Sequence, residues 1–331
     1  MKKYWFWVVL AIVIVAGVIW FSYQKTDNQQ QTSALQKVTI SEAFAVFLHS
    51  PLWIAQDKGF FKQQGLDVNI TTAGGDEKAF ASVLSGGAQF AVGDPTFIAV
   101  SGEKGEPGVD VAAVLNGVPF WGIAKNSNIP QITSPAMLKG YTVGTLPSPS
   151  TDYVLQKKMF QSAGLTPSIK EIQFGGFLPA LDAKQVDIAL EFEPNVSQAV
   201  AQGYHVVYSL TTFYPDFAVT GLTALPSYVQ SNPQIVQKVV NALQQADNYI
   251  RNNTKDAADT LGQQFNVSSS IAESALANMV KLNILPANGV TSQSAWQNAT
   301  KLRVDVGDLK NASAYSTYID NSFAQNAESI Q

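Results

Sequence analysis

The chain has 331 residues, of which 46% are hydrophobic and 14% charged, with a formal net charge of −4 and a sequence pI ≈ 5.2. This composition allows a large folded core and excludes disorder for most of the chain. The mild acidity and the lack of a Lys/Arg-rich run exclude the electrostatic signature of a nucleic-acid-binding protein.

The N-terminal segment has the features of a membrane anchor. Lys2 and Lys3 precede an apolar run over residues 4–23, close to the roughly 20 residues that a helix needs to cross a bilayer. Aromatic residues lie at both ends of the run, and the preceding positive charge favours an N-in, C-out orientation. No small-x-small cleavage site follows the run, so an uncleaved transmembrane helix over residues 1–23 is favoured over a cleaved signal peptide.

The rest of the chain is therefore expected outside the cytoplasm, in the periplasm or at the cell surface. It would be anchored to the cytoplasmic membrane, or secreted if the apolar segment is cleaved. Residues 24–36 are polar and are predicted to form a flexible tether.

Beyond residue 37, short apolar runs alternate with helical stretches, a pattern that indicates an α/β fold built on parallel strands. The predicted strands are 38–40, 68–70, 90–92, 111–115, 141–144, 169–174, 188–190 and 206–208.

Capping signals mark the helices between these strands. Ser50-Pro51 starts a helix that Gly59 ends, because proline is favoured at the first helical position and glycine just after the last. Asp94-Pro95, Ser150-Thr151-Asp152 and Glu193-Pro194 are similar start signals. Further along, apolar residues recur at spacings of three and four. These recurrences predict helices over 226–253, 255–265, 268–282 and 292–308.

Several short motifs together resemble a known family. They are Ala55 with Lys58-Gly59-Phe60-Phe61, Gly65-Leu66-Asp67-Val68, Gly74-Gly75, Leu84 to Phe90 and Gly93-Asp94, followed by segments 134–144, 180–195 and 230–243. Their order and spacing are similar to those of the SsuA/THI5-like family of nitrate-, sulfonate-, taurine- and thiamine-precursor-binding proteins. The resemblance spans roughly residues 38–265.

The resemblance implies a type II periplasmic-binding-protein fold with two α/β lobes and a cleft between them. Residues 37–124 and 213–331 would form one lobe and residues 125–212 the other. Crossovers near 124–126 and 209–213 would act as the hinge. The implied function is the extracytoplasmic solute-binding component of an ABC importer. The implied partners are a small-molecule solute and the permease and ATPase subunits, with contact to the membrane through the N-terminal helix, and a monomeric state is expected.

Strand-to-helix junctions are expected to line this cleft, because free backbone N–H groups of helix N-termini gather at the carboxyl ends of strands. Ordinary capping or core packing could explain each junction or aromatic residue taken singly. The candidate ligand-binding residues are His49, Ser50, Trp53, Gly75, Asp94, Thr96, Trp121, Ser148, Ser150, Thr151, Glu191 and Glu193.

The chemistry of these junctions gives two indications about the solute. The junction 147–151 pairs hydroxyl groups with a helix N-terminus and is the best candidate for holding an anion. No lysine or arginine falls on any junction, however, whereas three carboxylates do. The sequence therefore favours a heterocyclic or zwitterionic organic solute over nitrate or a sulfonate, without identifying it.

Two other functions stay open as alternatives. Pyrimidine-synthase-like enzymes share the implied fold but depend on a cysteine-rich segment and a histidine, and this chain has no cysteine. His49 and His205 are far apart and lack metal-ligand spacing, so no metal and no cofactor are expected. A membrane-anchored ligand-sensing protein is the second alternative, which would need a partner for signalling because only three residues precede the apolar run.

Overall fold

The computed structural model describes residues 34–148 and 150–327. The transmembrane helix predicted over residues 1–23, and the tether up to residue 33, lie outside these residues. In the described ranges no helix is long and apolar enough to cross a membrane.

Within the described residues, ten strands form two separate five-stranded sheets. In chain order they are β1 (Gln36–Glu42), β2 (Leu66–Thr72), β3 (Phe90–Gly93), β4 (Val109–Asn116), β5 (Trp121–Ala124), β6 (Val143–Thr145), β7 (Ile169–Glu171), β8 (Ile188–Glu191), β9 (His205–Ser209) and β10 (Ala218–Ala224).

Fifteen α-helical segments and two short 3₁₀ helices, Phe47–His49 and Pro135–Leu138, connect and cover the strands in the described part of the chain. The α-helices are α1 (Ser50–Asp57), α2 (Phe60–Gln63), α3 (Asp76–Leu84), α4 (Phe97–Gly102), α5 (Thr151–Ser162), α6 (Phe177–Asp182), α7 (Asn195–Ala201), α8 (Leu210–Phe213), α9 (Pro226–Ser231), α10 (Pro233–Asn252), α11 (Thr254–Phe265), α12 (Ser269–Lys281), α13 (Gln293–Val306), α14 (Tyr315–Tyr318) and α15 (Ser322–Ala327).

The two sheets have related topologies. The first has the order β2-β1-β3-β10-β4, in which β1 is parallel to β2 and β3, and β10 is antiparallel to both of its neighbours. The second has the order β7-β6-β8-β5-β9, in which β6 is parallel to β7 and β8, and β5 is antiparallel to both of its neighbours. We call residues 36–116 and 218–327 the first lobe and residues 121–209 the second lobe. This is a two-lobed periplasmic-binding-protein-like α/β fold.

The structure differs from the sequence expectation in two strands. Both β5 and β10 were missed, and they are the strands that run against their neighbours, so the sheets are mixed rather than parallel. Each is interrupted by a glycine, Gly122 or Gly221, and at both positions an added Cβ would overlap a neighbouring side chain. An apolar run broken by glycine is a weak strand signal.

The lobe boundary expected at residue 124 also needs correction. Strand β5 pairs with β8 and β9, so residues 121–124 belong to the second lobe and the first crossover is the segment 117–120. The second crossover is the segment 210–217 between β9 and β10, close to the expected 209–213.

The long helix α10 packs mainly against the helices α1, α2 and α15 of the first lobe. Its residues Val236, Val239, Val240, Leu243 and Ile250 are all buried in the main hydrophobic cluster. These residues recur at helical spacing and form the buried face of α10. The predicted helices at the C-terminal end of the chain are all found, except that 226–253 is divided into α9 and α10 at Asn232.

Candidate functional site

The chain topology brings the carboxyl ends of the parallel strands of both sheets together. Strand β4 is parallel to β3, because both are antiparallel to β10, so Asn116 lies at the same edge as the ends of β1 and β3. Strand β5 is antiparallel to β8, so Trp121 lies at the carboxyl end of β8. The short segment 117–120 joins these two edges. The strand-to-helix junctions of the two lobes therefore meet at the crossovers, which is where open α/β sheets bind ligands.

In the first lobe, the end of β1 carries a buried histidine–carboxylate pair. His49 Nδ1 lies 3.0 Å from Glu42 Oε2, and Thr72 Oγ1 donates to Glu42 Oε1 at 3.2 Å. The adjacent Ser50 is fully buried, and its hydroxyl donates to the carbonyl of Phe47. The side chains of His49 and Ser50 thus both pair with protein groups near the end of β1.

A second network lies at the end of β3. Asp94 Oδ1 accepts hydrogen bonds from the Thr96 N–H at 2.8 Å and from the Thr96 hydroxyl at 2.5 Å. Arg303 of α13 forms an ion pair with Asp94, and its Nε donates to Thr96 Oγ1 at 2.9 Å. Asp76, at the start of α3, accepts from the Asp94 N–H at 2.8 Å, and burial together with the Asp94 charge raises its pKa.

No lysine or arginine lies within a junction in the sequence, but Arg303 reaches the β3–α4 junction from a distant helix. Arg303 lies 209 positions beyond Asp94 and comes to the end of β3 only because α13 packs beside it. The carboxylate of Asp94 and the hydroxyl of Thr96 both have partners within the protein. These contacts stabilise the junction between β3 and α4.

Trp53 and Gly75 complete the first-lobe junctions. Gly75 precedes α3, and its N–H donates to the Ala43 carbonyl at 2.9 Å. Trp53 is half-buried on α1, with its ring edge-on to Phe265 at 6.0 Å between centroids. Its indole N–H makes no hydrogen bond with any described residue. Trp53 therefore has a donor available, because buried polar groups are ordinarily paired.

In the second lobe, Glu191 and Glu193 follow each other at the end of β8. Glu191 is 2% exposed and accepts from the Phe192 N–H at 3.0 Å. Burial, helped by the nearby carboxylates of Asp152 and Glu193, raises the pKa of Glu191 to about 7 against the effect of this hydrogen bond. Burial also raises the pKa of Glu193, although Asn278 and Ser197 donate hydrogen bonds to it.

The α5 junction contains the remaining predicted residues. Ser148 is exposed, whereas Ser150 is half-buried and its hydroxyl lacks a hydrogen bond of normal geometry within the described ranges. Thr151 is the first residue of α5. The next residue, Asp152, is fully buried, and its Oδ2 accepts from the Leu146 N–H at 2.8 Å. Asp152 was recognised in the sequence only as part of a helix start.

Three aromatic side chains of the second lobe and the first crossover pack together. Phe192 lies edge-on to Phe120, in the first crossover, at 5.6 Å, and it stacks on Phe174 at 5.5 Å with an interplanar angle of 28°. Phe174 is 63% exposed, so the face that does not contact Phe192 is open. Trp121, in contrast, is buried within β5. Phe174 was missed because it was assigned to the end of a strand, whereas β7 ends at Glu171.

Outside the crossovers, the described parts of the two lobes are joined by apolar packing, such as that of α13 against α5, and by two polar side-chain contacts. Asn278 of α12 donates to Glu193 Oε1 at 2.7 Å, and Lys158 of α5 forms an ion pair with Asp305 of α13. The C-terminal helices thus belong to the first lobe and contact the second lobe on two sides. In the described part of the chain, no group of three or more His, Asp or Glu side chains is placed to hold a metal ion.

This two-lobed architecture agrees with the sequence comparison. The model of the family described as NMT1/THI5 like matches residues 47–257, which is more than half of the chain. The chain belongs to the NMT1/THI5-like family. The resemblance to SsuA/THI5-like substrate-binding proteins, drawn from the motifs of residues 38–265, is confirmed.

Proteins similar to this chain differ in the ligands that their names state. YtlA of Bacillus subtilis (strain 168), named as a binding protein, is 24% identical over 332 residues, which cover 98% of each chain. The riboflavin-binding protein RibY of Chloroflexus aurantiacus is 24% identical over 287 residues, covering 85% of this chain and 78% of RibY. The periplasmic aliphatic sulphonate binding protein SsuA from Escherichia coli has a TM-score of 0.63 at 16% identity, covering 74% of this chain and 79% of SsuA. At that identity the structural likeness shows the fold alone.

Proposed function

We propose that this protein is the extracytoplasmic solute-binding component of an ABC importer, which captures a small organic solute between its lobes and delivers it to a permease and ATPase. The observation that carries the proposal is the meeting of both carboxyl edges at two chain crossovers. Two lobes joined by two short segments can close on a ligand by a hinge movement.

The polar and aromatic groups at this edge suit an organic solute. Trp53 has an indole N–H without a hydrogen-bond partner among the described residues of the first lobe, and Glu191 provides a carboxylate acceptor in the second. The open face of Phe174 offers an apolar surface of the kind that planar ligands stack on. Such a combination of apolar walls and a few directed polar groups is typical of small-molecule sites.

An enzymatic function has less support from this arrangement. His49 and Glu42 form a buried pair, but the neighbouring Ser50 hydroxyl donates to a backbone carbonyl and not to His49. A serine used in this way is not activated by the base beside it. The relatives whose names state an activity are binding proteins.

The test is isothermal titration calorimetry of the purified full-length chain with nitrate, sulfonates, taurine, thiamine precursors, riboflavin and amines, alongside thermal unfolding. A solute at about 100 times its Kd should stabilise the protein by roughly 2.7 kcal/mol. Binding without turnover of one class supports the proposal. Failure of every class to bind, or chemical conversion of a solute, contradicts it.

The N-terminal segment is proposed to anchor the protein to the cytoplasmic membrane. Its apolar run of residues 4–23 and the flanking aromatics and lysines support an uncleaved helix. Membrane fractionation with N-terminal sequencing of the mature protein tests this. A membrane-bound chain that starts at Met1 is expected, and a soluble chain that starts beyond residue 23 would contradict the anchor.

A further inference from the structure

The N-terminus of α5 is built to hold a negative charge. The backbone N–H of Leu146 donates to the carboxylate of Asp152 there, and Ser150, which precedes the first helical residue, carries a hydroxyl. Helix N-termini and adjacent hydroxyls ordinarily attract anions, because the free N–H groups carry partial positive charge.

The negative charge at this position, however, belongs to the protein. Asp152 is fully buried, and its Oδ2 accepts from the Leu146 N–H at 2.8 Å. Burial raises the pKa of Asp152, and the hydrogen bond from the Leu146 N–H acts against this shift, in favour of the ionised carboxylate. An external anion would have to share this donor with Asp152 and would be repelled by it.

A second observation shows that the position is polar but incompletely paired. Asp152 Oδ1, Ser150 Oγ and Gln156 Nε2 are buried without hydrogen bonds of normal geometry to any residue in the described ranges. Gln156 lies one turn after Asp152 on α5, and its Oε1 accepts from Tyr208 at 2.7 Å. Asp152 also lies close enough to Glu191 to raise the pKa of that residue. A buried carboxylate with one unpaired oxygen therefore lies at the start of α5, close to the carboxylate of Glu191 at the end of β8.

From this arrangement we propose that Asp152 is a specificity-determining residue. Its carboxylate occupies the position at the start of α5 where an anion would otherwise bind. The second-lobe side of the cleft therefore favours neutral or cationic solute groups that donate hydrogen bonds. The inference rests on the proposed solute-binding function and narrows its substrate class. Asp152 acts on the solute through its charge and through the donor that it occupies. Nitrate and sulfonate groups are therefore excluded from this half of the site.

The test uses the full-length chain with nitrate and methanesulfonate as probes, measured by isothermal titration calorimetry. Asp152→Ala vacates the anion position, and Asp152→Asn removes the charge while keeping an acceptor for the Leu146 N–H. The matched control is Asp187→Asn, because Asp187 is exposed in the same lobe and accepts from the Thr142 N–H at 2.8 Å, just before β6. Thermal unfolding shows which variants are folded.

The wild-type chain and Asp187→Asn are expected to bind neither anion measurably. Asp152→Ala is expected to bind at least one of them at least about tenfold more tightly than wild type, a change of about 1.4 kcal/mol. The affinity of Asp152→Asn for the anions should also increase. If the alanine variant does not fold, the result for Asp152→Asn alone tests the inference. Anion binding by wild type that the Asp152 variants leave unchanged, or no gain in either variant, overturns the inference.

The two proposals fail in different ways. Tight binding of methanesulfonate by the wild-type chain would support a solute-binding protein while overturning the role of Asp152. A wild-type chain that binds no solute of any class contradicts the proposed function, whereas the gain of anion binding in the Asp152 variants is measured independently of that result.

Discussion

Asn278 of α12 donates a hydrogen bond of 2.7 Å to Glu193 Oε1, and this bond links a helix of the first lobe to the end of β8 in the second. Glu193 also accepts from the N–H and the hydroxyl of Ser197 at 3.0 and 3.1 Å. The carboxylate is therefore held by its own helix and by the opposite lobe. It gives the two lobes a direct contact next to the proposed cleft.

Replacing Asn278 by alanine should destabilise the protein in a pH-dependent way. Loss of one donor to a buried carboxylate costs about 1–3 kcal/mol. Because Asn278 favours the charged form, its loss raises the folded-state pKa of Glu193 further above the unfolded value. The destabilisation should therefore be larger at pH 8 than at pH 5, measured by urea unfolding. Ser274→Ala, on an exposed face of the same helix, is the control. If Asn278→Ala loses the same free energy of unfolding at both pH values, Asn278 does not stabilise the charged form of Glu193.

Glu191→Gln should remove a pH dependence of stability. Folding raises the pKa of Glu191 from 4.5 to about 7, so its favourable contribution is complete below about pH 4.5 and is lost as the pH rises to about 7. The variant has no proton to lose. Between about pH 4.5 and 7, the free energy of unfolding of the variant should therefore rise relative to that of wild type by up to about 3 kcal/mol.

Asp110→Asn provides the matched control for this measurement. Burial raises the pKa of Asp110 to about 7 as well, but Asp110 lies in the first lobe, where Thr291 donates to it at 2.7 Å. Both variants should flatten the dependence of unfolding free energy on pH, whereas only Glu191→Gln should weaken solute binding. A Glu191 variant with the wild-type pH profile would show that the carboxyl is not perturbed as described.

Phe174→Ala should weaken the binding of an aromatic solute with little effect on the unliganded fold. The side chain is 63% exposed, so its removal should cost about 1 kcal/mol of stability or less. Loss of a stacking surface should reduce affinity by roughly tenfold, measured by calorimetry with the solute identified in the binding screen. Val200→Ala, an exposed apolar residue of the same lobe, should change neither quantity. Unchanged affinity in the Phe174 variant would remove this residue from the site.

Arg303→Met should be strongly destabilising. Arg303 is buried between Asp94 and Asp308, and its removal leaves the Asp94 carboxylate buried without a counter-charge next to Asp76. Breaking one side of a buried ion pair costs about 3–5 kcal/mol. Lys301→Met removes an exposed ion pair with Asp305 on the same helix and should cost under about 1 kcal/mol. Chemical unfolding curves give the free energy of unfolding of both variants. If both lose a similarly small amount, the hydrogen bonds around Asp94 do not stabilise the β3–α4 junction.

Local sequence patterns were sufficient for much of this fold. Apolar runs bounded by turn residues located eight of the ten strands, and the spacing of apolar residues located the helices from 226 to 306. Capping signals such as Ser50-Pro51 and Glu193-Pro194 placed the junctions, because helix starts depend on residues within one turn of each other. The family resemblance added the two-lobed arrangement.

Only the tertiary structure decided the direction of β5 and β10 and the partners of the charged residues. Glycine at 122 and 221 weakens the local strand signal, and the pairing of both strands depends on segments far away in the chain. The same holds for Arg303, which meets Asp94 across 209 positions, and for Asp152, whose carboxylate turns back to the Leu146 N–H. A sequence shows which residues could hold an anion or pair with a charge. Which of them are already paired depends on packing between distant elements, and here that packing places the protein's own carboxylate where an anion was expected.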